Sequence, residues 1–193
     1  MKRLLVVIMI LSFAVSMVSA GLISFGFGAQ AVNTQPVGEL TEVGSLEDWN
    51  FGAEARLSVL FLESTVSGHF PSENNFDGLV TAGMRLSLFG LLHVGVGAGP
   101  AMGLQLDDGG ALAWTYRDSS GSTAIAAGNL SEAFTEGLFH YRAHADVKFG
   151  RLSFGITYTL PSQGYTIANE SYLDLIPSWD DARFGTSVLF WIF

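Results

Sequence analysis

The sequence predicts an all-β protein, an antiparallel up-and-down transmembrane β-barrel of about eight strands. Three observations carry that expectation. Apolar and polar residues alternate with a period of two along most of the chain, the mark of strands with two unlike faces. Although 49% of the residues are hydrophobic, no helix-length apolar stretch follows residue 20. Tight turns alternate with long polar segments, as periplasmic turns and external loops do in such barrels.

Before the first strand, residues 1–20 carry Lys2 and Arg3, an apolar run beginning at Leu4, and the small residues Ser19 and Ala20. This is the pattern of a secretory signal peptide cut before Gly21. The run is about 15 residues long, short of the roughly 20 that cross a bilayer as a helix. Residues 21–193 then form one barrel domain of 173 residues (193 minus 20). With 0 cysteines, the chain has no acylation site, no disulfide framework and no thiolate metal site. Without Lys2 and Arg3 there remain 7 basic residues against 18 acidic ones, a net charge of −11. That excludes nucleic acid as a partner, because binding it depends on neutralising phosphates.

The first strand is expected over residues 22–32, with Ile23, Phe25, Phe27, Ala29 and Ala31 opposite Ser24, Gly26, Gly28 and Gln30. Residues 33–48 lose the alternation and gather Pro, Gly, Glu and Asp, a long loop. From Trp49 a second strand sets Phe51, Ala53, Ala55, Leu57 and Val59 against Glu54, Arg56 and Ser58. A tight turn near residue 60 leads to a third, polar at Glu63, Thr65, Ser67 and His69, and residues 71–78 read as a short loop. The fourth offers Val80, Ala82, Met84, Leu86 and Leu88 opposite Thr81, Gly83, Arg85 and Ser87. Phe89-Gly90 turns into the fifth, where Val94 and Val96 oppose His93, Gly95, Gly97 and Gly99. Residues 106–136, rich in Gly, Ser and Asp, read as a long loop. The sixth strand is the clearest: Phe139, Tyr141, Ala143, Ala145, Val147 and Phe149 interleave with His140, Arg142, His144, Asp146 and Lys148. Gly150-Arg151 turns into the seventh, residues 152–160, and a loop over 161–180 leads to a final strand ending at Phe193. The phrase Arg-Leu-Ser recurs at Arg56, Arg85 and Arg151, each beside a turn, and chance explains it as well as duplication does.

In hydrocarbon a sheet must close on itself to pair every backbone group, so the apolar face is expected outside and the polar face inside. A soluble lipid-carrying barrel would reverse the two faces. Cations facing lipid would cost about 2–4 kcal/mol each at mid-membrane. Glu54, Arg56, Arg85, Arg142, Asp146, Lys148 and Arg183 are therefore the candidates for a lumenal ion-pair network. Gly95, Gly97 and Gly99 are expected to make room for the long arginines. The interior of eight strands is just wide enough for side chains to fill, so a wide pore is not expected. Glu63 is a third acid on an inward strand position beside Glu54 and Asp146, and the other fifteen of the 18 acidic residues fall in the loops, with Arg117 the clear base among them. That acidic exterior offers divalent cations or a basic protein a surface, or simply repels itself in solvent.

This whole pattern, from Gly21 to Phe193, resembles the small eight-stranded outer-membrane barrels of the OmpA transmembrane-domain and OmpX type. The resemblance implies a monomer in the bacterial outer membrane, surrounded by its lipid. The terminal Phe193, with Trp191 and Leu189 at alternate positions before it, looks like the signal such proteins present to the barrel-assembly machinery.

Motifs for chemistry are sparse. His140, His144 and Asp146 invite a metal, but residues four apart on a strand lie about 13 Å apart, too far to share an ion. The run Gly95 to Pro100 is not followed by the helix that a nucleotide loop requires. The lipid A deacylases carry a local His-x-Ser arrangement that this chain lacks. No cofactor and no enzymatic activity are expected. A structural or surface-interaction role comes first, with a narrow channel or an adhesin as alternatives.

Overall fold

A computed structural model describes residues 22–39, 45–106, 110–117, 124–169 and 171–193, so the signal-peptide expectation lies outside the described residues. The strands are β1 (Ile23–Asn33), β2 (Trp49–Val59), β3 (Leu62–Ser72), β4 (Asn75–Leu88), β5 (Leu92–Leu106), β6 (Leu112–Arg117), β7 (Ala124–Ala127), β8 (Phe139–Phe149), β9 (Leu152–Pro161) and β10 (Arg183–Trp191). Eight of them form a closed antiparallel barrel in the order β1-β2-β3-β4-β5-β8-β9-β10. Pairing of β1 with β10, from Gly26↔Trp191 to Val32↔Gly185, leaves the barrel no edge.

Residues 60–61, 89–91 and 150–151 make the tight turns at one end, which we call the turn end; residues 22 and 193 lie there too. Leu60, Phe89, Gly90 and Gly150 adopt positive φ (59°, 55°, 68° and 62°), the backbone form that lets two strands reverse within so few residues. The opposite end, the loop end, differs from the sequence expectation in two places. What reads as a loop over 71–78 is strand on both sides, since β3 runs to Ser72 and β4 begins at Asn75. Pro71 and Gly78 weaken the periodic signal there, but the ladder continues through Gly68↔Gly78 and His69↔Asp77 and, after an irregularity, Ser72↔Asn75.

The second difference lies within residues 106–136. β6 pairs with the extended end of β5, and β7 pairs with β6, so the sheet continues beyond the barrel rim as a hairpin. A short helix, α1 (Leu130–Glu136), follows, started by Asn129, whose side chain accepts a hydrogen bond from the Glu132 backbone N–H at 3.0 Å. Glu132 in turn accepts from the Gly128 N–H at 2.9 Å. Ala133 and the adjoining Leu138 are buried beside β5. These elements are too short to raise a periodic signal in a segment interrupted by Gly, Ser and Asp.

Alternation sorts the side chains as expected. Facing outward, Phe27 is 47% exposed, Val96 60% and Phe149 61%, while inward Arg56 and Asp146 are fully buried. Aromatic pairs ring the outside near both ends: Phe27–Phe190 and Phe149–Phe154 toward the turns, Trp49–Phe184 and Phe70–Phe76 toward the loops. The register of β10 puts Val188 and Phe190 outside and Ser187, Leu189 and Trp191 inside.

Candidate functional site: a charged plug and a vestibule in the lumen

The lumen is filled from the turn end upward. Trp191 closes its lower end. Gly26 pairs with it across the β1–β10 ladder, and a Cβ there would come within 2.8 Å of the indole ring, so only glycine leaves the ring its place. The indole N–H donates to Ser153 Oγ at 2.9 Å. Arg85 and Lys148 each hold a cation 5.1 Å from the ring centroid, within reach of a cation–π attraction.

Above this layer, Arg56 is the centre of the ion pairs. It donates through Nε to Glu54 and through Nη1 to Asp146 at 2.5 Å, and its Nη2 lies 3.4 Å from Ser187 Oγ. Arg142 reaches the other Glu54 oxygen at 2.5 Å and Ser67 Oγ at 2.9 Å. Glu54 thus bridges two guanidiniums. Arg85 lies 3.7 Å from Glu63 and donates to Ser24 Oγ at 2.9 Å. Ser58 donates to Glu63 at 3.1 Å, and His144 Nε2 sits 3.2 Å from Glu63 and 3.5 Å from Asp146. Arg56, Arg85 and Arg142 therefore meet Glu54, Glu63 and Asp146, three charges of each sign. That balance is what lets ions sit in so dry an interior, where an unmatched one would cost several kcal/mol.

Five of the sequence-selected residues, Glu54, Arg56, Arg85, Arg142 and Asp146, come together in this network. Two do not. Lys148 points at Trp191 rather than at a carboxylate. Arg183, although on the inward parity of β10, stands at the loop-end rim, because the strand begins with it. The glycines serve other neighbours than the arginines. A Cβ at Gly95 would run into the His144 imidazole, and one at Gly99 into the Val80 carbonyl of β4; Gly97 lies close to Thr81 and Ala82. Gly155 makes the room for Asp146. Of the terminal aromatic pattern, Leu189 and Trp191 are buried in the lumen, and Phe193 lies exposed beyond β10.

Sequence reasoning left Glu63 and His144 out of the network and gave Trp191 no lumenal role. The inward parity of the first two was legible; which strands face each other across the lumen was not. Asp77, assigned to a loop, is on β4, and Arg117, likewise, is on β6; the two pair at 2.6 Å. His140, whose spacing from His144 on one strand already argued against a shared metal ion, points Nδ1 at the Leu138 carbonyl, 2.9 Å away.

Toward the loop end the plug gives way to a cavity of about 180 Å³. Gln30, His69, Asp77, His140, Arg142 and Arg183 contribute its polar wall; Leu79, Met102 and Leu138 are among its apolar lining.

No protein family and no curated protein matches this chain. Among solved structures it is similar to one described as "De novo design of transmembrane beta-barrels", with a TM-score of 0.43 and 9% identity, covering 87% of this chain and 95% of that one. The barrel assignment rests on the closed ladder of strand pairs, not on that overlap.

Proposed function

We propose that this chain is a protein of the bacterial outer membrane, exported by its N-terminal signal and seated as a small monomeric barrel of the OmpA transmembrane-domain or OmpX type. The observation that carries this is the inverted amphipathicity of the barrel: an outer wall of Phe, Leu, Val and Ile around an interior of buried ions. Soluble monomers rarely expose contiguous apolar patches beyond roughly 300–600 Å². In hydrocarbon the same belt is satisfied, and the closed ladder pairs the strand backbones that lipid could not.

The role is structural or surface-directed and non-catalytic, without a cofactor. The plug supports it, since Glu54, Arg56, Asp146 and Arg142 are buried in ion pairs across the lower lumen. Folding into the membrane goes through the barrel-assembly machinery, and the acidic loop end faces outward to divalent cations or basic proteins.

The test is gel mobility of the chain, heated and unheated, from an outer-membrane fraction of expressing cells. A closed barrel in that fraction shifts on boiling. Soluble protein with no shift overturns the membrane assignment and favours a lipocalin-like carrier.

A further inference from the structure

The cavity at the loop end has an arrangement the plug does not use. Across three adjacent strands the register sets Arg183 beside Thr159 and Thr159 beside Arg142. With strands roughly 4.8 Å apart, two guanidinium-bearing positions thus flank one hydroxyl. Arg183 forms no ion pair within 4.0 Å among the described residues. Arg142 is 4% exposed; its two terminal nitrogens bond Ser67 and Glu54, while its buried Nε has no acceptor among the described residues. His69 also lines the cavity, and its buried Nε2 likewise has no hydrogen-bond partner among the described residues. Buried polar groups of native proteins are nearly all paired; the Arg142 Nε–H is always a donor and calls for an acceptor oxygen, and His69 Nε2 can donate to the same ligand when its proton sits there.

The rest of the wall narrows the class. Leu79, Met102 and Leu138 offer an apolar side to a compact hydrocarbon body. Asp77 and Asp181 also line the space, which disfavours a dianion such as a phosphate ester. Pockets for drug-sized ligands measure roughly 300–1,000 Å³, so a volume of about 180 Å³ admits only a small molecule. Buried ion pairs lie below the cavity, an arrangement that suits binding better than passage. We propose that this vestibule is a binding site for a small organic carboxylate arriving from the loop end, its oxygens between Arg142 and Arg183 and its apolar body against Leu79 and Leu138.

The experiment is ligand-observed NMR on the folded chain in detergent micelles, with sodium benzoate as the probe and benzamide as its uncharged counterpart. Benzoate is expected to bind about tenfold more tightly than benzamide, a difference of about 1.4 kcal/mol. Arg183→Gln and Thr159→Val are each expected to weaken benzoate several-fold, whereas Lys148→Gln, at the turn end, leaves it unchanged. All variants are compared after showing the wild-type shift on boiling, and Arg183 sits at the solvent-exposed rim where replacement does not disturb the plug. Equal affinity for the two probes, no benzoate binding, or binding unaffected by Arg183→Gln would each overturn the proposal. The measurement needs only a folded barrel, so its failure leaves the membrane assignment standing.

Discussion

Arg56→Leu probes the centre of the plug. The guanidinium is fully buried and holds Glu54 and Asp146, so its removal leaves Asp146 with no guanidinium partner and Glu54 with only Arg142. Breaking a buried ion pair by deleting one partner costs about 3–5 kcal/mol, because the remaining charge stays desolvated. With a urea slope of about 2 kcal/mol per molar, the unfolding midpoint should fall by roughly 1.5–2.5 M. The assay is urea titration of the purified barrel in lipid vesicles, read as the fraction retaining the unboiled gel mobility. The double variant Arg56→Leu with Asp146→Leu removes both charges and should recover a large part of the loss, since an apolar pair in place of a buried ion pair is often neutral. A midpoint lowered by less than about 0.5 M in the single variant, or no recovery in the double, would refute the view that matched charges hold the lower lumen together.

Other positions give independent checks. Trp191→Ala removes a buried indole with its bond to Ser153 and should cost about 3–5 kcal/mol, measured by the same titration. Gly155→Ala should cost about 1–3 kcal/mol by pushing a methyl group onto Asp146, whereas Gly150→Ala, which meets only open space, should lose about 1 kcal/mol from its positive φ. Val96→Arg, on the outer wall, should lower stability in vesicles by about 2–4 kcal/mol while Leu106→Arg, on the same face at the loop end of β5, costs much less; equal stability of the two in lipid would place that wall in water.

The barrel was legible because its signal is local. Phe139 to Phe149 alternate so regularly that the strand, its faces and its inward Arg142 and Asp146 can be read without a fold, and the same holds for β2 and β9. Where the local signal is broken by residues of another function, reading fails. Pro71 and Gly78 hid the continuation of β3 and β4, and the Gly-Ser composition around β6, β7 and α1 hid a hairpin held by pairing with β5. Both faces of β10 are apolar near its end, so only pairing with β1 and β9 could turn Trp191 inward.

By itself, then, the sequence determined the strand number of the barrel, which residues face in and which face out, and that buried cations would need buried acids. Those follow from the two-residue period and from the cost of charge in a dry place, and both act along one strand at a time. Only the tertiary structure decided which acid meets which base. Glu54 reaches Arg142 across 88 residues of sequence and Arg56 reaches Asp146 across 90, distances that only barrel closure and strand stagger bring to hydrogen-bond length. The same closure decided that Lys148 would rest on Trp191, that Arg183 would stand at the rim, and that a cavity would be left between that rim and the plug.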